Sequence, residues 1–475
     1  MQRLARDSFL SIILHVAPRL ASVVMFVLIG QRLGTSAAGV FVLANTFLVL
    51  TTTVLMGLDE IVVREVARRP PAVRAVFVQF SLLRLALAGL AACLVWAAVT
   101  LFFDYPASTT RAIQILVVSV VPDGLTQTAQ AVLVGQRRFG MTALVSSGIG
   151  GLKVFSGAAV LWAGQGLELL VLLWLAGSVL GALILVSLTM LRTGVPQWRD
   201  WLDHGPVRDN WRAALALLGS TLLLAFESQT DTLVLSKVRS EAEVAWYGAA
   251  TTIAFGLLLL SQGYRLSVYP VMAGYALEAP SRLAQLYGQS MRFIAMVALP
   301  ISLGLALAAP HVIQFIFGPE FAPAAPALRI LGLAFLVMFL YEPGSRMMIV
   351  ADKQDRLLSF LVITTAANIM LNLLLTPRFG ATGAALARVG SASVLFLCIF
   401  SYVATRLTRI DLWAMTSTSV LAGIVMAMVA WILRALPFPI GLAAGAVSYV
   451  VFILIFDRSL YSSVRATFLP GKDRP

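Results

Sequence analysis

The chain has 475 residues, of which 59% are hydrophobic and only 12% charged, and its mean hydropathy is +0.90. A water-soluble domain carries about a quarter charged residues, so these totals exclude one and point to a chain that lives in a bilayer. Lysine and arginine outnumber aspartate and glutamate by 35 to 22, for a formal net charge of +13. The charges fall in small groups between apolar runs. That suits membrane connections and leaves no continuous basic face for nucleic acid.

The opening stretch, MQRLARDSFLSIILHVAPRL, has the basic start of a signal peptide. His15, Pro18 and Arg19 interrupt its apolar core and no small-x-small cleavage site closes it, so it reads as an uncleaved first membrane helix. From there, runs long enough to cross the hydrocarbon layer predict fourteen spans. They lie at 9–30, 40–58, 76–103, 112–134, 142–162, 168–191, 213–235, 246–270, 285–308, 325–349, 357–376, 383–404, 412–434 and 438–457. The fold class is an all-α polytopic membrane protein. The connections are short, and no soluble catalytic domain fits between them. The longest inner one, Arg192–Arg212, mixes Trp198, Trp201 and Trp211 with charges and reads as a segment at headgroup level. Cys93 and Cys398 both fall in apolar segments, and no CxxC pair or His/Cys cluster suggests a metal.

Basic residues orient the map. With both termini cytoplasmic, the inner connections hold groups such as Arg64, Arg68, Arg69 and Arg74, or Arg199, Arg208 and Arg212. The outer ones hold only Arg32, Arg111, Lys237, Arg239, Arg378 and Arg434. Cytoplasmic loops carry the excess of Lys and Arg. Reporter fusions after Arg74 or Arg212 are therefore expected to read cytoplasmic, and one near Gly318 periplasmic. A periplasmic signal after Arg212 would overturn the orientation.

A weak internal repeat lies across this map. Ala37–Thr46, AAGVFVLANT, matches Glu243–Thr252, EVAWYGAATT, with Phe41 against Tyr247, Ala44 against Ala250 and Thr46 against Thr252. Each block opens the second span of a six-span set, and both sets enter from the cytoplasm. This predicts two lobes, 1–212 with a cytoplasmic linker and 213–410, related by an axis along the membrane normal, followed by an extra helix pair and tail at 411–475. Such lobes suggest a site between them and alternating access. No repeated filter segment favours a channel.

Ionisable residues inside spans are costly and are functional candidates by default. Arg84, Arg292 and Arg329 sit toward span ends and read mainly as snorkelling. Arg19, Arg265, Arg346, Arg388 and Lys153 sit deeper, or beside helix-breaking residues, and form the candidate cationic set. His15 and Arg19 share a helix face beside the kink expected at Pro18, a reasonable gate. In LLLAFESQTDTLVL, Glu227 and Asp231 lie four apart on one face of the seventh span. They are read as gate or coupling residues, with an ion-pair lock as the competing reading. Asp123 after Pro122, and Glu342 before Pro343, occupy the fourth span of each set. Unwound turns there would expose carbonyls to a cavity, and a paired acid at a kink is the plain alternative.

Several stretches together resemble a known family. IGQRLGTSAAGVFVLANTF with GLDEIVVREVARR, TDTLVLSKVRSEAEVAWYGAATTI, IFGPEFAPAAPALRILGLAF and LNLLLTPRFGATGAALARV look like the prokaryotic polysaccharide transporters. These are oligosaccharide flippases related to multidrug-and-toxin extruders and lipid II flippases. The resemblance implies transport rather than catalysis, with undecaprenyl-linked sugar units moved from the inner to the outer leaflet of the bacterial inner membrane. It implies two rocking six-helix lobes around a cationic cavity, and two further C-terminal helices. It also implies the lipid-linked oligosaccharide and membrane lipids as partners, beside a polymerase and glycosyltransferases. No cofactor is expected, and proton or sodium coupling stays open. The runner-up is a cation-coupled multidrug exporter, which predicts a cavity dominated by Asp and Glu. A membrane glycosyltransferase would need a large outer loop, and a scaffold would leave the repeat unexplained.

Overall fold

In a bilayer every backbone N–H and C=O must be satisfied within the chain, so long apolar runs become helices. The computed structural model describes residues 2–456 except 203–204, 259–263, 265–267, 270, 276–279 and 409–410, and describes no side chain before residue 20. Its helices are α1 (Gln2–Met56), α2 (Asp59–Arg68), α3 (Val73–Leu101), α4 (Ala107–Val118), α5 (Val120–Gly135), α6 (Phe139–Trp162), α7 (Leu167–Thr193) and α8 (Trp198–Leu202). They continue with α9 (Gly205–Val238), α10 (Glu241–Gly256), α11 (Pro280–Phe317), α12 (Ala325–Val350), α13 (Gln354–Tyr402), α14 (Leu412–Ile432) and α15 (Phe438–Phe456). No strand occurs among the described residues.

Among the described residues, eleven helical segments are long and apolar enough to cross a membrane. Two of them each hold a pair of predicted spans. In α1 the boundary is Gly34, at φ 84°, and in α13 it is Gly380, at φ 59°. Both are left-handed conformations that glycine adopts without a Cβ penalty, so each long helix bends where the sequence places a connection. Predicted span eight starts as α10 and then runs into residues outside the described set.

The two prolines expected to unwind their spans behave differently. Between α4 and α5 the ladder tightens at Ser119, whose N–H bonds the Leu116 carbonyl, just before Pro122 and Asp123. At Pro343 the expectation fails, because α12 runs on through it without a break. There the Ser345 hydroxyl donates to the Glu342 carbonyl at 2.8 Å, and Glu342, Pro343 and Gly344 are all buried, so neighbouring protein holds the turn closed.

The chain forms two compact units, Met1–Gly248 with Ile316–Glu320, and Ala249–Phe315 with Phe321–Pro475. Helix α9, predicted to open the second lobe, counts with the helices it packs on. Its Thr221 hydroxyl reaches the Val54 carbonyl of α1 at 3.1 Å. The first unit has a core of Leu58, Ile61, Val62, Val66, Val76, Phe77, Phe80, Val132, Leu133 and Leu185. Short α8 is tied to α3, with the Gln79 amide donating to the Asp200 and Trp201 carbonyls at 3.1 and 2.9 Å and Arg74 3.6 Å from Asp200. Trp198, Trp201 and Trp211 stay exposed. The Arg199 and Arg212 guanidiniums lie 5.9 and 5.7 Å from the Trp198 and Trp211 rings.

The second unit packs Met272, Tyr287, Met291, Met347, Met348, Leu395 and Ile399 together. The extra pair α14 and α15 rests on α11 through Met426, Tyr449, Leu299 and Leu303, and the Tyr449 hydroxyl donates to the Met296 carbonyl at 2.9 Å. Large apolar side chains such as Leu94, Phe155, Leu183, Phe293, Leu373 and Val447 face outward, as lipid contact requires.

Candidate functional site

Inside the first unit, α1, α5, α6 and α7 surround a cavity of about 290 Å³. Asp123, placed by the tightened turn at Ser119, and Lys153, near the middle of α6, are its only charged lining residues among those described. The Lys153 ammonium donates to the Ser178 hydroxyl at 2.8 Å and lies 5.0 Å from the centre of the Trp174 ring, and Asp123 lines the same cavity. A Cβ at residue 177 would stand 2.7 Å from the Lys153 stem, so Gly177 makes the room in which that side chain lies. Asn45, Thr52, Thr126, Gln127 and Gln130 line the rest, and the Gln130 amide donates to Ser146 at 2.7 Å. One carboxylate and one ammonium balance in charge, so the described lining presents no net positive charge to a pyrophosphate. Lys153, grouped by sequence with the phosphate-binding cations, has Asp123 as its counter-charge.

In the second unit Arg346 pairs with Glu342 one turn away, with Nη2 and Nε both on Oε1 at 2.9 and 3.0 Å. Arg388, only 2% exposed, lies with its guanidinium 5.8 Å from the Phe255 ring. It belongs to a buried polar seam across the bend of α13. There the Asn368 amide donates to Ser391 at 3.2 Å, the Asn372 amide to the Asn368 carbonyl at 3.0 Å, and the Thr376 hydroxyl to Asn372 at 3.0 Å.

Asp231 is buried and accepts a 2.5 Å hydrogen bond from the buried Tyr247 hydroxyl, while Glu227, one turn earlier on α9, is half-buried. The side chains of His15 and Arg19, and all of Arg265, lie outside the described residues.

Sequence reasoning missed two constellations. Arg84 is completely buried and its Nη2 bonds Asp59 of α2, while Nε and Nη1 have no partner among the described residues. Its place toward a span end suggested snorkelling, and only the fold of α2 against α3 reveals the pair. Glu241, at the start of α10, accepts from the Ser36 hydroxyl at 2.7 Å and from the Thr109 hydroxyl. Its backbone comes so close to α1 that a Cβ on Gly39 would lie 1.8 Å from its carbonyl oxygen. A Cβ on Gly248 would meet Val42 at 2.8 Å, so segments that matched in sequence also lie against each other. Nearby, the Gln31 amide donates to the Ile316 carbonyl at 3.0 Å and the Trp246 indole to the Glu320 carbonyl at 3.3 Å.

The fold is shared with membrane transporters. A lipid II flippase MurJ in an inward closed conformation aligns over 95% of this chain and 99% of its own, with a TM-score of 0.76 at 17% identity. An inward-facing multidrug resistance MATE family transporter of the MOP superfamily aligns over 86% and 99%, with a TM-score of 0.66 at 16% identity. A MOP superfamily transporter from Pyrococcus furiosus, described as having a binding pocket of reversed polarity, aligns over 85% and 95%, with a TM-score of 0.61 at 16% identity. A sequence search of curated proteins found no match. Residues 33–326 match the family described as polysaccharide biosynthesis protein. That match runs from the bend of α1 to the start of α12 and takes in Asp123, Lys153 and Glu241, and the chain belongs to this family of polysaccharide biosynthesis proteins.

Proposed function

We propose that the protein moves undecaprenyl-pyrophosphate-linked oligosaccharide repeat units from the inner to the outer leaflet of the bacterial inner membrane, for surface polysaccharide assembly. The observation that carries this reading is the family match over residues 33–326 on a chain whose membrane helices bury charged groups. A sugar head crosses hydrocarbon only through a wet, hydrogen-bonding interior, while its lipid tail stays in the bilayer. Two lobes, 1–212 and 213–410, alternate in this reading, and both termini are cytoplasmic. Arg19, Arg265, Arg346 and Arg388 offer the pyrophosphate bidentate contact, and Glu342 orients Arg346 between substrates. His15, Glu227 and Asp231 tune the outer gate, since carboxylates repel a pyrophosphate. Asp123 and Lys153 serve coupling rather than substrate. The polymerase and glycosyltransferases of the same polysaccharide are the expected partners.

Cells that lose this protein are expected to accumulate lipid-linked repeat units and to lose surface polymer, measured by lipid extraction and sugar analysis. Restored polymer with the wild-type chain but not with Arg388→Ala at matched protein level supports the reading. Unchanged polymer in the deleted cells, with altered resistance to amphipathic cations, would favour a cation-coupled multidrug exporter instead.

A further inference from the structure

The first-unit cavity is built as a cation site. Its polar lining residues, Asp123, Ser178, Asn45, Gln127 and Gln130, all carry side-chain oxygens. The Gln127 Oε1 atom is buried with no donor among the described residues. Carboxylate, amide and hydroxyl oxygens are the ligands that hard cations take. An aromatic face, Trp174, closes one side at cation–π distance from the ammonium. The cation present is the chain's own, because the Lys153 ammonium bonds Ser178 at 2.8 Å beside Asp123. Among the described residues, no other titratable side chain lines the cavity.

We propose that Lys153 is a tethered stand-in for an alkali cation, which closes this cavity to sodium and leaves a proton as the only ion it can exchange. One carboxylate and one ammonium sum to zero. A sodium ion entering beside them would be an uncompensated charge in a low-dielectric interior, which is strongly unfavourable. While the ammonium bonds Ser178 it fills the place a sodium ion would take, and only its proton can leave and return. The consequence for coupling, a proton-linked and sodium-independent cycle, rests on the transport reading above. The occupancy of the cavity does not, and it is tested without transport.

The experiment is thermal unfolding of the purified full chain in detergent, comparing sodium chloride with choline chloride at equal ionic strength. The wild type is expected to melt at the same temperature in both. Lys153→Met removes the ammonium while keeping the stem's bulk, and is expected to gain a sodium-specific rise of about 2 °C or more, because a ligand that binds only the folded state raises its melting point. The added change Asp123→Asn should abolish that rise. Where Lys153→Met fails to fold, Lys153→Gln, which keeps a donor for Ser178, takes its place with the same two readings. Sodium-specific stabilisation of the wild type that Asp123→Asn removes would overturn the proposal, since the cavity would then hold sodium beside the lysine. A folded Lys153 variant with no sodium response would also overturn it, since the ammonium would then occupy no cation site. Failure of the flippase reading leaves both outcomes unchanged.

Discussion

Replacing Gly39 with alanine is expected to destabilise the first unit by about 3 kcal/mol or more. Overpacking a core ordinarily costs ~1–3 kcal/mol, but here the new Cβ would lie 1.8 Å from the Glu241 carbonyl oxygen and 2.5 Å from its carbon. Those are backbone atoms at the start of α10 and cannot rotate away as a side chain would. Moving them also removes the contacts of Ser36 and Thr109 with the Glu241 carboxylate. Hydrogen bonds to a charged group contribute about 1.5–3 kcal/mol when buried, and less here because Ser36 is exposed. The measurement is thermal unfolding in detergent, with hydrogen exchange over residues 36–42 and 241–248 as the local readout. Gly89→Ala is the control, since a Cβ there meets nothing within 4 Å. Equal melting of the Gly39→Ala variant and the wild type would show that the close approach is not required.

Asp59→Ala is expected to be comparably damaging for a different reason. Arg84 is completely buried, and Asp59 is the acid that neutralises it. Removing one partner of a buried pair costs about 3–5 kcal/mol, because the other charge is left uncompensated. The lower end applies here, since Asp59 is a third exposed and water partly screens the pair. Arg84→Met removes the charge along with its desolvation penalty, so the double variant Asp59→Ala/Arg84→Met should recover most of the loss. A cycle of the four proteins, each unfolded by heat, gives the coupling energy directly. Additive losses would contradict the pairing.

Much of the helix map was legible because it rests on length and composition. α3, α6, α7, α12 and α14 begin and end within a few residues of the runs that predict them. The bends at Gly34 and Gly380 coincide with QRLGTS and PRFGAT, where polar residues and glycine interrupt apolar sequence. Which faces meet was not legible. A helix that is apolar all round carries no stripe to say which side is buried in protein, so the pairing of Asp123 with Lys153, on separate helices, had no one-dimensional signature. Burial of Asp231 was hidden for the same reason, since its partner Tyr247 comes from the next helix. Glu241 looked like ordinary loop charge in RSEAEV, and only the contact of α10 with α1 makes it a joint. Pro343 misled because a proline predicts a break from local chemistry alone, whereas packing around Glu342 and Gly344 keeps α12 whole.

Leaflet transfer is the central claim, and reconstitution measures it directly. Purified protein in proteoliposomes is given a fluorescent undecaprenyl-pyrophosphate oligosaccharide placed in both leaflets, and a membrane-impermeant quencher is added outside. Flippase activity predicts that quenching proceeds from the outer-leaflet fraction to the whole pool, and that Arg388→Ala slows this second phase. Quenching that stops at the outer-leaflet fraction, in vesicles where the protein is folded and correctly inserted, would contradict the account.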